Sequence, residues 1–242
     1  MGAHNDPIDA AAWLRHLGEH IESARQGHEA EDAHQIRIAA ARLDVWLRIG
    51  RRRMLRDDLR WLRRATGRVR NYDVLLATSL PAAFSEWLAT ERAFAREQWI
   101  AELGSPRCAA LLGALAMLEP VEPEQVDAFV ERARRTVKRR GRVLDADDAT
   151  IEIAHRVRRA VRRLRFAHEW LGRKPRALKA LQEVLGRVSD AAIALSELDR
   201  CPRAGELAEL REQLTRDLQL AFDDALAAWR ETELDVEDEA DA

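Results

Sequence analysis

Residues that form strands or carry redox chemistry are scarce in this chain of 242 residues. It contains two cysteines and one tyrosine, and no run of residues alternates between apolar and polar as a half-buried strand does. Cys108 and Cys201 are far apart and lack ligand-like spacing, which indicates two reduced thiols. These shortages exclude a disulfide framework, a cysteine zinc site and a mainly β fold.

Long apolar runs are missing as well. No segment approaches the roughly 20 apolar residues that a helix needs to span a bilayer. Residues 1–12 lack the basic-then-apolar pattern of a secretory signal, and Asp6 stands where N-myristoylation requires Ser or Thr. We therefore expect a soluble, cytoplasmic protein with no membrane partner.

Lysine is rare, and the positive charge is concentrated. Of the 40 basic residues only Lys138, Lys174 and Lys179 are lysines. The arginines can bind phosphate oxygens through two parallel hydrogen bonds. Residues 34–73 and residues 155–190 each carry a net charge of +8, while the rest of the chain carries −18. Because the local field matters more than the overall charge of −2, a polyanion is a candidate partner.

Apolar residues recur at helical spacing throughout, which predicts an all-α fold. The predicted helices start at Asp6-Pro7, at 31, 54, 72 and 84 in the first half, and at 124, 147, 175, 190 and 202 in the second. Gly67 is expected to end the helix that starts at 54. Pro120 and Pro123 mark the junction, which gives a first half of residues 1–119, a second half of residues 120–230 and an acidic, disordered tail of residues 231–242.

A basic motif occurs twice. One copy begins at His34 (HQIRIAAARL) and the other at His155 (HRVRRAVRRLR), 121 residues later. Gly-Arg-Val triplets follow at 67–69 and 186–188, 119 residues apart. The same order at nearly the same offset predicts an internal duplication into two pseudo-symmetric four-helix bundle units.

The second copy places four cations on one helical face. His155, Arg158, Arg162 and Arg165 form a ridge roughly 15 Å long. Val157, Val161 and Leu164 lie on the opposite side and are expected to face the core. Stacked cations repel one another, so the ridge needs either carboxylates from elsewhere in the chain or an anionic ligand. Neither His34 nor His155 has a second ligand three or four residues further on, so no metal site is expected.

Both motif segments, together with residues 59–74 and 178–191, resemble the CHAD domain (conserved histidine α-helical domain) over nearly the whole chain. The resemblance implies two helical bundles around a basic central groove or pore. It also implies non-enzymatic binding of inorganic polyphosphate without a cofactor, and association with polyphosphate granules. The binding residues that it implies are His34, Arg37, Arg42, Arg60, Arg64, His155, Arg158, Arg162, Arg163, Arg165 and Lys179.

Three positions depart from the family pattern. Ala41 and Asp44 stand where basic residues are usual, and Asn71 stands where Asp is usual. The first half has therefore lost two cations, and the second half is expected to bind more strongly.

Two other functions remain open from the residues alone. Trp46, Trp61 and Trp170 lie in the basic segments and could stack on the bases of RNA, although their helical spacing is also typical of core packing. His34 or His155 could alternatively accept a phosphoryl group. Chain-length preference and oligomeric state stay open.

Overall fold

The computed structural model describes residues 6–27, 29–146 and 149–232, and helices make up nearly all of these ranges. The chain divides into two compact units, Met1–Gln125 and Val126–Ala242. The predicted all-α class is confirmed. The internal duplication and the central groove remain predictions.

The first unit has five helices within the described ranges. They are α1 (Ala11–Arg25), α2 (Glu29–Ile49), α3 (Leu55–Leu76), α4 (Ala82–Leu103) and α5 (Pro106–Ala116). The second unit is built from α6 (Pro123–Leu144), α7 (Ile151–Trp170), α8 (Arg176–Arg200) and α9 (Ala208–Glu231), with a short 3₁₀ helix at Ala204–Glu206 before α9.

The core of the first unit lies between α3 and its neighbours α2 and α4. Leu59 and Leu62 of α3 and Trp99 of α4 are fully buried. The Trp99 indole N–H donates to the Thr66 hydroxyl over 3.1 Å, and that hydroxyl donates to the Leu62 carbonyl over 2.8 Å. These buried polar groups are therefore satisfied, as close packing of α3 on α4 requires.

The core of the second unit is formed by the apolar faces of its four helices. Val157, Val161 and Leu164 are buried, which confirms the orientation predicted for the motif helix α7. In α6, a Cβ atom added to Gly141 would lie 1.6 Å from the Trp229 ring of α9. Glycine thus lets the Trp229 indole lie directly against the backbone of α6.

Two predicted helix breaks are wrong. The prediction ended one helix at Gly67 and started new helices at 72 and 190, but α3 continues to Leu76 and α8 runs unbroken from Arg176 to Arg200. A glycine inside a helix costs only about 1 kcal/mol relative to alanine. Buried residues continue on both sides of each glycine, and their packing outweighs that cost.

The predicted start of the first helix at Asp6-Pro7 is also wrong. The Ile8 N–H and C=O pair with the Val121 C=O and N–H over 2.8 and 2.9 Å, so this stretch is extended. Helix α1 begins at Ala11, whose N–H is accepted by the Asp9 carboxylate over 2.9 Å.

Other predicted boundaries are closer to the structure. α4 ends at Leu103, next to the predicted stop, and Pro123 opens α6 as predicted. α7 begins at Ile151 because the Thr150 hydroxyl caps it, accepting from the Ile153 N–H over 3.3 Å. Of the predicted tail, Glu231 ends α9, and residues 233–242 lie outside the described residues.

Both cysteines are free and buried, and burial raises the pKa of the Cys108 thiol. Within residues 6–27, 29–146 and 149–232, no helix combines the length and apolarity that crossing a bilayer requires.

The link from α2 to α3 contains a strained arginine. Arg51 has a φ of 55°, and the Arg52 N–H donates back to the Leu47 carbonyl over 2.8 Å, which closes the end of α2. Glycine is the usual residue at this left-handed position because it has no Cβ. We expect Arg51→Gly to raise the free energy of unfolding by about 0.5–1 kcal/mol. Urea unfolding measures this effect, and an equal or lower midpoint would contradict it.

Candidate polyanion-binding surface

Each motif helix presents an arginine to a glycine of the following long helix. In the first unit, the Arg37 guanidinium lies 3.9 Å from the position of a Cβ on Gly67 and donates to the Asn71 side-chain oxygen over 3.1 Å. In the second unit, Arg158 lies 3.7 Å from the equivalent point on Gly186. The glycines therefore admit an arginine side chain, because a Cβ at either position would lie against the guanidinium group.

The two units repeat these contacts at nearly the same sequence offset. Arg37 and Arg158 are 121 residues apart, and Gly67 and Gly186 are 119 apart. Arg37 bonds Asn71, and Arg158 interacts electrostatically with Asp190, which is 119 residues beyond Asn71. The residues that recur in the two sequence motifs therefore make matching side-chain contacts within each unit.

The two motif histidines are half-buried and both have a lowered pKa. Burial is the main cause for His34, followed by the positive charge of Arg70. Burial is again the main cause for His155, followed by Arg159 and Arg158. His155 Nδ1 also hydrogen-bonds the Ser189 hydroxyl over 3.2 Å. Both imidazoles are therefore largely neutral at neutral pH.

Arg158 is a half-buried cation whose buried Nε–H is an unused donor. Burial lowers its pKa, and the Asp190 carboxylate opposes that shift. Its buried Nε–H finds no acceptor among the described residues. An anion next to this guanidinium would add a hydrogen-bond acceptor and a negative charge to that of Asp190.

Three further predicted residues of α7 differ in their surroundings. Arg162 and Arg163 are half-buried on the helix. Arg165 is only 13% exposed, pairs with Glu169 over 3.2 Å and lies over the Phe166 ring at 4.7 Å. Of the predicted ridge, Arg162 is thus half-buried, and Arg165 is paired with Glu169 and largely covered.

Arg42, which matches Arg163 in sequence, is half-buried and stacks on the Trp13 ring of α1 at 4.3 Å. This contact fixes the plane of its guanidinium group.

The predicted cations of α3 and α8 are exposed. Arg60 pairs with Asp57 over 2.9 Å, and Lys179 lies 3.9 Å from Glu183. Arg60 and Arg64 line a cleft of about 690 Å³ between α3, α4 and α5. Arg107 closes one side of this cleft, with its guanidinium 4.5 Å from the centre of the Trp61 ring.

Asp44 lies in an ion-pair cluster that sequence reasoning missed. Its carboxylate is 2.9 Å from Arg48, 3.5 Å from Arg56 and 4.0 Å from Arg63. Burial alone would raise the pKa of Asp44, but Arg48, with help from Arg63 and Arg56, lowers it. Only the spacing of Asp44 and Arg48, four residues apart on one helix, signals this cluster in the sequence.

The tryptophans of the basic segments differ in accessibility. Trp46 is 1% exposed, and its indole N–H donates to the Ile8 carbonyl over 3.4 Å. Trp61 is partly exposed but carries the Arg107 guanidinium on its ring. Trp46 is therefore a core residue and is not available for base stacking.

The CHAD domain model matches residues 9–199, which is most of the chain. The chain belongs to the CHAD domain family. This CHAD domain has the same fold as the crystal structure of the CHAD domain from the plant Ricinus communis, with a TM-score of 0.67 and 26% identity over 97% of this chain and 93% of that one. It also resembles PptA from Streptomyces chartreusis, with a TM-score of 0.73 and 19% identity over 93% of this chain and 100% of that one. No curated protein matches it significantly.

Proposed function

We propose that this CHAD domain binds inorganic polyphosphate without transforming it, and that binding can place the protein at polyphosphate granules. The main support is the arrangement that recurs in both units, a histidine followed by an arginine that packs against a glycine. In the second unit the arginine of this arrangement has a buried, unpartnered donor. A chain of phosphates can supply one charge and several acceptor oxygens to each arginine in turn.

The exposure of the predicted residues also favours this ligand. Arg60, Arg64 and Lys179 are exposed on α3 and α8, and Arg162 is partly exposed on α7. Exposed guanidinium and ammonium groups attract a polyanion from solution, while the half-buried ones provide directional hydrogen bonds. Base stacking, which RNA binding would use, has no support at Trp46 because that ring is buried.

Competition tests the choice of ligand. Labelled long-chain polyphosphate is bound to the protein, and unlabelled polyphosphate or single-stranded RNA is added at equal phosphate concentration. We expect polyphosphate to compete at least about tenfold better, because single-stranded binders gain much of their affinity from base stacking. Equal or better competition by RNA would contradict polyphosphate specificity and favour nucleic-acid binding.

Binding should take up protons. Burial and neighbouring arginines hold the pKa of His34 and His155 below the ordinary value of 6.5 in the free protein. A polyphosphate next to either imidazole stabilises its protonated form and raises that pKa. The affinity for long chains should therefore increase as the pH falls from about 8 to 6, by no more than about tenfold per pH unit for each proton taken up.

Calorimetry in buffers with different ionisation enthalpies counts these protons. The control is the His34→Gln/His155→Gln variant, in which uptake should disappear because the titrating groups are gone. Equal proton uptake by the variant and the wild type would show that the histidines are not coupled to binding.

A further inference from the structure

The Asp44 cluster joins the end of α2 to the start of α3 with more positive charge than negative. Three guanidinium groups share one carboxylate, at 2.9 Å for Arg48, 3.5 Å for Arg56 and 4.0 Å for Arg63. Within the described residues, Asp44 is the only carboxylate that pairs with these arginines. The cluster therefore keeps a net charge of about +2 at neutral pH.

The cluster is partly open to solvent. The Asp44 side chain is 12% exposed, whereas the side chains of Arg48, Arg56 and Arg63 are between 21% and 25% exposed. The carboxylate is thus less exposed than the three arginine side chains around it. Hydrogen bonds and ion pairs to a buried carboxylate restrict the rotamers of arginine, so less conformational entropy is lost when these groups bind a ligand.

The corresponding ion pair of the second unit shows what the first unit loses and gains by having Asp44 in place of a basic residue. Asp44 and Arg48 are 121 residues before Arg165 and Glu169. Both pairs are ion pairs four residues apart on the motif helix, at 2.9 and 3.2 Å, with acid and base exchanged. The residue opposite Asp44 in the register is thus an arginine already bound to its own acid. Replacing such an arginine by Asp44 removes little free positive charge and brings two arginines of α3 to the same carboxylate.

The cluster is continuous with the proposed polyphosphate surface. Arg63 lies three residues after Arg60 on α3, and its pKa is lowered mainly by burial and further by the positive charges of Arg48 and Arg60. Arg60 is exposed and is one of the residues proposed to bind polyphosphate. A phosphate chain that reaches Arg60 therefore comes within electrostatic range of the cluster.

We infer that Arg48, Arg56 and Arg63, oriented by Asp44, form an additional phosphate-binding site in the first unit and compensate for the absence of basic residues at positions 41 and 44. The inference rests on the proposed function, since the ligand is a segment of the same polyphosphate chain. Asp44 is a positioning residue, because it holds the arginines and would not itself contact the phosphates.

The Arg56→Gln/Arg63→Gln variant tests the site and leaves the Asp44–Arg48 pair intact. We expect the dissociation constant for long-chain polyphosphate to rise about tenfold or more, and the slope of log K against log salt to fall by about 1.4, which is 0.7 for each lost contact. The matched control is Arg211→Gln/Arg216→Gln. It removes the same charge from α9, where the two arginines pair with Asp199 and Glu212.

Asp44→Asn separates positioning from simple electrostatics. Removing an acid should tighten polyanion binding if charge alone matters, whereas we expect it to weaken binding several-fold because the arginines lose their common anchor. Asp44→Glu should restore much of the affinity. If a thermal unfolding scan shows that Asp44→Asn is not folded, the Arg56→Gln/Arg63→Gln variant alone tests the additional site.

The outcomes separate the two proposals. Tighter binding by folded Asp44→Asn, or equal affinities for Arg56→Gln/Arg63→Gln and its control, overturns the additional site. If the wild type and Arg158→Ala/Arg162→Ala still differ in that case, the proposed function stands. A wild type that does not bind polyphosphate overturns the proposed function and this site with it.

Discussion

Raising the salt concentration from about 50 to 200 mM should weaken polyphosphate binding by roughly three orders of magnitude. Each neutralised phosphate releases counterions, and single strands give a slope of about −0.7 per contact in log K against log salt. About six to ten contacts, which the exposed and half-buried cations of the two units can provide, then give a slope of roughly −4 to −7. No other change considered for this protein has a larger expected effect.

Fluorescence anisotropy of labelled polyphosphate over a series of salt concentrations measures the slope. Substituting sodium acetate for sodium chloride keeps the cation concentration constant and identifies any effect of the anion. A slope close to zero would contradict electrostatic capture of the chain and the proposed function with it.

The second large effect concerns the motif helix of the second unit. Arg158→Ala/Arg162→Ala should raise the dissociation constant for polyphosphate on the order of 100-fold at low salt, since a hydrogen bond to a charged group contributes about 1.5–3 kcal/mol. Arg158 contributes most of the loss, because burial makes its interaction with an anion stronger than that of an exposed cation.

Arg211→Ala/Arg216→Ala on α9 removes the same number of charges and should change the affinity only slightly. Thermal unfolding of both variants shows whether each is folded. Equal affinities of wild type and Arg158→Ala/Arg162→Ala would exclude the motif helix from the binding surface.

The spacing of apolar and basic residues predicted which side of a motif helix is buried. The buried side of α7, formed by Val157, Val161 and Leu164, follows from the helical repeat alone. The contacts of Arg37 with Gly67 and of Arg158 with Gly186 could not be derived in this way, because they depend on how the second helix of each pair is packed. The spacing showed that the arginine and the glycine each recur, but it did not show that the two are in contact.

Gly67 also explains why a predicted helix end was wrong, and Gly186 likewise lies inside a continuous helix. A local rule treats glycine as a helix terminator, since its intrinsic helix propensity is low. In α3 and α8, buried apolar residues on both sides of the glycine pack against neighbouring helices, and this gain exceeds the local cost. The resulting long helices hold Asn71 and Asp190 where they meet the motif arginines.

The departures at Ala41 and Asp44 have a different meaning in three dimensions. From the sequence, Asp44 weakens the first unit because it replaces a cation. In the structure it anchors Arg48, Arg56 and Arg63, while Arg165 of the second unit is itself paired with Glu169. The relative strength with which the two units bind polyphosphate therefore does not follow from the number of basic residues in each.

By itself the sequence determined the all-α class, the two basic segments and the paired His-x-x-Arg motifs, because helical periodicity and charge are local properties of the chain. The tertiary structure alone decided how far each cation is exposed and which carboxylates lie beside it. That outcome depends on burial and on carboxylates brought in from other turns and helices, as at Asp44 and Glu169. Glu169 pairs with a single arginine and cancels its charge, whereas Asp44 holds three arginines and leaves them with a net positive charge.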